Sequence, residues 1–176
     1  MAVGLAGCGK FVAPNRPGTV TTLAATGVDK DKFAPAWDKL KDVLVATAVA
    51  ITLNQFHARV QGYLTALDAI NEVGLNADEK VVRLKFYDVY WAFEDSVSLW
   101  TADVQGGDMK VDGIPLYRNG KPLLPRADQI VALYGLVVTT AQGSDQMGYV
   151  PKNSVQKLWG IASHETENSL LPALNP

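Results

Sequence analysis

The sequence predicts an all-α protein: a long antiparallel αα-hairpin, two shorter helices, an extended N-terminal tether and a small Pro/Gly-rich hairpin-like excursion. Three observations carry that expectation. Apolar residues recur at spacings of three and four through two long central stretches. Helix-capping residues stand at the ends of those stretches, notably Asn76 with Glu79. Proline and glycine cluster in the segments between and before them.

Helical periodicity starts after Asp29 to Lys32, and Pro35 fits the first turn of the first helix, where its missing N–H is not needed. Leu40, Leu44, Thr47, Ile51, Gln55, Ala58, Gly62, Ala66, Ala69 and Val73 then form a near-heptad seam of about ten turns. Many of these residues are small, so a partner helix would approach closely. Gly74 reads as the stop, and Asn76 and Glu79 as a capping box for the second helix, which runs to about Val104. Val82, Phe86, Val89, Phe93, Val97, Trp100 and Val104 mark its buried stripe. Large residues facing small ones favour the hairpin.

Gln105-Gly106-Gly107-Asp108 ends the second helix. The following segment has three prolines and the turn dipeptides Asp112-Gly113 and Asn119-Gly120. Tyr117 to Pro122 reads as a small hairpin whose second strand Pro122 confines to an edge. A third helix is expected over residues 126–141, with Ile130, Leu133, Tyr134 and Val137 inward. The segment from Gly143 to Pro151 reads as a loop. A fourth helix begins at Asn153 or Ser154 and runs to about Glu165, with Val155, Leu158, Trp159 and Ala162 inward. The apolar tail from Ser169 is expected to pack on the body or on a partner.

Composition bounds the function. The chain has 176 residues, enough for one domain with a real core. It is 48% hydrophobic and 19% charged, with a formal net charge of −2, and no basic face suited to nucleic acid emerges. One cysteine excludes an intramolecular disulfide, and two histidines far apart disfavour a zinc site. No cofactor is expected. The longest apolar run, residues 43–53, is about half a bilayer span.

Candidate chemistry is sparse. His57 lies mid-helix near one stripe with Asn54 and Gln61, which reads as either a polar patch or a buried hydrogen-bonded cluster, and His164 sits with Glu165 and Glu167 at a helix end. His57 has no cysteine near it and the chain has no GxSxG elbow, while His164 lacks the i, i+4 histidine pair of a zinc helix and reads as a solvated helix end. Glu94 and Asp95 are neighbours on a helix, about 100° apart, so they cannot share one substrate and read as surface charges. Glu72 is the third carboxylate that could in principle contribute to a pair of the kind glycoside hydrolysis uses. Gly4, Gly7 and Gly9 lack the strand and helix that a phosphate loop needs. On the second helix Tyr87 and Trp91 lie four apart beside the main stripe. The third and fourth helices either cover that side, or Tyr87 and Trp91 anchor a partner interface.

The sole cysteine is Cys8, behind Leu5-Ala6-Gly7. Leu5-Ala6-Gly7-Cys8 resembles the lipobox of bacterial lipoproteins. That resemblance implies thioether attachment of a diacylglycerol to Cys8, cleavage before it, and no particular activity. It divides the chain into residues 1–8, the remnant of a signal with its lipobox, a linker over 9–28 and one helical domain over 29–176. The expected function is a non-enzymatic structural or interaction protein tethered to the bacterial cell envelope, facing the periplasm, with other subunits or a second copy as partners. One alternative is a subunit of a larger assembly, such as a phage virion or secretion machine, that uses the N-terminal segment as an arm. Another is a small enzyme with a site built from loops between Asp108 and Arg126.

Overall fold

The computed structural model describes residues 27–106, 113–141 and 146–174. Cys8, the lipobox and nearly all of the 9–28 linker lie outside the described residues. Among the described residues, helix dominates, as expected, but the fold is not all-α: a four-stranded antiparallel sheet is built in.

A short 3-10 turn, Lys30–Lys32, leads into α1 (Ala34–Thr47). Helix α2 (Leu53–Asp68) follows, and a second 3-10 turn, Glu72–Gly74, leads to α3 (Ala77–Gln105). The expected ten-turn first helix is therefore two helices. Ala48 caps α1, and Thr52 is extended at φ −81° and ψ 155°. The Thr52 hydroxyl accepts the Gln55 N–H while the Gln55 side chain accepts the Thr52 N–H, so the helix restarts there. The interior stripe also differs from the small-residue seam. Leu40, Val43 and Ala46 of α1 are buried with Phe56, Val60, Tyr63 and Leu67 of α2. Ala58 and Ala69 are exposed, and Val73, beyond α2, is 94% exposed.

Helix α3 begins on the expected capping box and ends at Gly106. Val82, Phe86, Val89, Phe93 and Val97 are buried as the pattern predicts, but Trp100 is only partly buried and Val104 points to solvent. The pairs Phe56–Phe93, Tyr63–Phe86 and Glu72–Arg83 show α2 and α3 running antiparallel. Tyr90, Ala92, Asp95, Ser96, Leu99 and Ala102 are buried on further faces of α3. It is the central element, with neighbours on more than one side.

The excursion after α3 forms β1 (Ile114–Arg118) and β2 (Lys121–Pro122). Asn119 at φ 51° and Gly120 at φ 72° take the positive values that a tight hairpin turn demands, a conformation glycine adopts freely. Helix α4 (Ala127–Tyr134) is half the expected length. Gly135, at φ 56°, makes its left-handed cap, so Val137 is 73% exposed instead of inward. Strands β3 (Thr139–Ala141) and β4 (Met147–Val150) then complete the sheet in the order β2-β1-β4-β3. The expected loop from 143 to 151 thus contains a central, fully buried strand.

Helix α5 (Ser154–Glu165) buries Val155, Leu158 and Ala162 and packs antiparallel to α3. It continues through a π turn, Thr166–Leu170, into α6 (Leu171–Leu174). Pro172 accounts for the widened turn, because its ring would meet the carbonyl four residues back in an α-helix. Leu170, Ala173 and Leu174 are buried, so the tail packs on the body. One apolar cluster joins α1, α2, the first two-thirds of α3 and the tail. A second joins the end of α3, the sheet, α4 and the start of α5.

Candidate functional site

The most connected polar site lies at the start of α3. Asn76 caps the helix by accepting the Glu79 N–H, and the Glu79 carboxylate accepts the Asn76 N–H. That much is local and legible in sequence. Glu79 also accepts the Asp29 N–H at 3.0 Å and two bonds from Lys32 Nζ at 3.0 and 2.9 Å. Lys32 donates in addition to the Gly74 carbonyl, and Asn76 Nδ2 donates to the Gly27 carbonyl. Glu79 is 1% exposed, yet Lys32 and the backbone donors hold its carboxyl below the usual glutamate range. The result is a clamp that fixes where the chain before Gly27 leaves the body. Asp29 and Lys32 lie 50 and 47 residues from Glu79, a separation that leaves no sequence signal for their part in it.

A second polar cluster sits farther along α3. Asp95, expected at the surface, is 2% exposed. The Tyr134 hydroxyl donates to its Oδ2 at 2.9 Å, and the Arg126 guanidinium stands 3.4 Å from Oδ1. Burial pushes the Asp95 carboxyl up, against the pull of Arg126 and Tyr134. The Tyr134 hydroxyl is itself driven far up, by burial and then by Asp95. Arg126 precedes α4 with φ 66°, a value that costs a non-glycine residue energy. Its guanidinium lies 4.3 Å from the centroid of Trp91, and its Nε donates to Gln129.

Trp91, one of the two expected interface anchors, is therefore partly buried, with Arg126 over its ring, and meets Tyr90 edge-on at 5.1 Å. Tyr87, the other, donates to Asp68 at 2.5 Å and accepts from Arg83 at 3.2 Å. Arg83 stacks on its ring at 5.0 Å and pairs with Glu72 at 3.1 Å. Burial, followed by Asp68, pushes the Tyr87 hydroxyl up to about 12. The two residues share α3 but have separate partners.

Gln61 joins the remaining candidates. Its Nε2 donates to Glu94 at 3.1 Å and lies 3.2 Å from His57 Nε2, tying α2 to α3 at the surface. Asn54 is exposed and outside that contact, and the His164 carbonyl accepts the Asn168 side chain at a helix end. Trp159 Nε1 donates to the buried Ser96 hydroxyl, which in turn donates to the Phe93 carbonyl. Among the described residues, no three histidine, cysteine, aspartate or glutamate side chains group as a metal site would require. No described helix is long and apolar enough to cross a membrane. Scans against protein-family models, curated proteins and solved structures find no match for the chain.

Proposed function

We propose that this protein is a non-enzymatic structural or interaction module, held at the bacterial cell envelope by a lipid on Cys8. The clamp around Glu79 carries the reading. Three side chains, Glu79, Lys32 and Asn76, together with the Asp29 N–H and the Gly27 carbonyl, lock residues 27–32 onto the start of α3. Tension on a tether entering at Gly27 would pass through those bonds into the longest helix of the protein. That helix spans about 43 Å at 1.5 Å per residue. Its far end carries the sheet, so an anchored chain would present the sheet to partner subunits away from the lipid.

The polar interior supports the same reading. Glu79, Asp95, Ser96 and Thr166 each end on a structural neighbour. Two acyl chains on Cys8 would hold the protein firmly, since one alone binds only marginally.

Fractionation of the bacterium that makes the protein tests the proposal. The native chain is expected in the membrane pellet, resistant to high salt and released by detergent. A Cys8→Ser variant is expected in the soluble fraction with unchanged thermal stability. A native chain washed free by salt, or a Cys8→Ser variant that still pellets, would overturn it.

A further inference from the structure

Among the described residues the sheet has two edges with no further strand, and they are defended unequally. Edge strand β2 is two residues long and consists of Lys121 and Pro122, a charge and an imino acid that discourage further strand addition. Edge strand β3 pairs with β4 through Thr139, Thr140 and Ala141 and has no strand on its other side among the described residues. It carries no charge, both threonines are exposed, and the exposed Val137 stands just before it. A strand laid along that side would meet backbone groups that no described strand pairs, and cover Val137.

The sequence contains a matching segment. Residues 19–23, Thr-Val-Thr-Thr-Leu, lie outside the described residues and repeat the Val-Thr-Thr of residues 138–140. β-branched residues of this kind suit a pleated edge. Reach decides which copy supplies the segment. The clamp fixes Gly27 beside Asn76, whereas the sheet packs near Leu99 and Ala102. Those two levels of α3 are roughly 35 Å apart at 1.5 Å per residue. Seven extended residues from Gly27 back to Val20 span at most about 25 Å. Val20 therefore falls short of β3 in its own chain.

We infer that residues 19–23 of one copy add as a strand to the β3 edge of a second copy. The clamp at Gly27 and the β3 edge sit toward opposite ends of α3, so the contact is head-to-tail and a joined pair still offers one free arm and one free edge. The inference does not depend on the lipid at Cys8, because residues 19–23 lie between that position and the clamp.

Sedimentation velocity on the full chain tests it with two double variants. Thr139→Lys with Thr140→Lys places charge on the exposed edge, and Thr21→Pro with Thr22→Pro removes donors on both sides of the arm. The unmodified chain is expected to form a concentration-dependent series beyond the dimer. Each variant alone is expected to be monomeric, with association weakened roughly tenfold or more. Mixed, the two variants are expected to form a one-to-one dimer and nothing larger, because only one intact arm meets one intact edge. Hydrogen exchange on the unmodified chain should show protection at residues 19–23 and 139–141 rising together with concentration. A monomeric unmodified chain, or variants that assemble as it does, overturns the inference. So does an arm variant that still dimerises while the edge variant does not, since β3 would then pair with β3.

Discussion

Two buried carboxylates on α3 respond to pH in opposite directions. The folded state holds Glu79 below its ordinary range. Its contribution is complete above the unfolded glutamate pKa and is lost as pH falls through the lower folded value. Asp95 is raised, so the folded protein takes up its proton at a higher pH than the unfolded chain does. Asp95 therefore contributes more favourably as pH falls. Urea midpoints measured across the acid range are expected to fall less steeply with pH for Glu79→Gln than for the unmodified chain. For Asp95→Asn they are expected to fall more steeply. Asn76→Ala removes a helix cap and the bond to Gly27, and is expected to cost about 1 kcal/mol in a urea titration. Tyr134→Phe leaves Asp95 Oδ2 without its donor inside the protein and is expected to cost about 1–2 kcal/mol by the same measurement. The capping pair Asn76–Glu79 was legible in the sequence because it is local. Asp95 was misread as surface because a single charged residue on a helix does not announce an Arg126 and a Tyr134 that arrive from more than thirty residues away.

Elements whose signals are long and periodic were legible, and elements decided by one residue were not. The extent of α3, its cap and its stop at Gly106 follow from pattern and glycine. The Asn119-Gly120 hairpin follows from turn chemistry, and Pro122 does occupy an edge. The break between α1 and α2 was hidden because Thr52 and Gln55 fit a helical seam as readily as they form a capping box. Strand β4 was hidden because four residues including Gly148 are too few to show alternation. Its burial on both faces also erases that pattern, since the helices and neighbouring strands surround it. Gly106 shows how closely the sheet approaches α3. A Cβ there would lie 2.7 Å from Pro115 Cγ and 3.0 Å from the Ala102 carbonyl oxygen. Gly106→Ala is therefore expected to destabilise the protein by about 1–3 kcal/mol, with the near-ultraviolet signal of Trp100 and Trp159 changing because the second apolar cluster must shift.

At the scale of the whole molecule, the two apolar clusters divide α3 into a bundle end and a sheet end, with Trp100, Tyr134 and Trp159 packed against both. The clamp stands at the bundle end and the open β3 edge at the other. Under the proposed function, this separation would make the chain a spacer between its N-terminal anchor and a partner at the sheet. The proposed lipid on Cys8 is the part of that account on which localisation depends, and intact-mass analysis of the N-terminal peptide tests it most directly. Purified from membranes of the cells that make it, the peptide is expected, on the proposed function, to begin at Cys8 and to carry the added mass of a diacylglycerol. A peptide that continues upstream through Gly7 with an unmodified thiol would contradict the account.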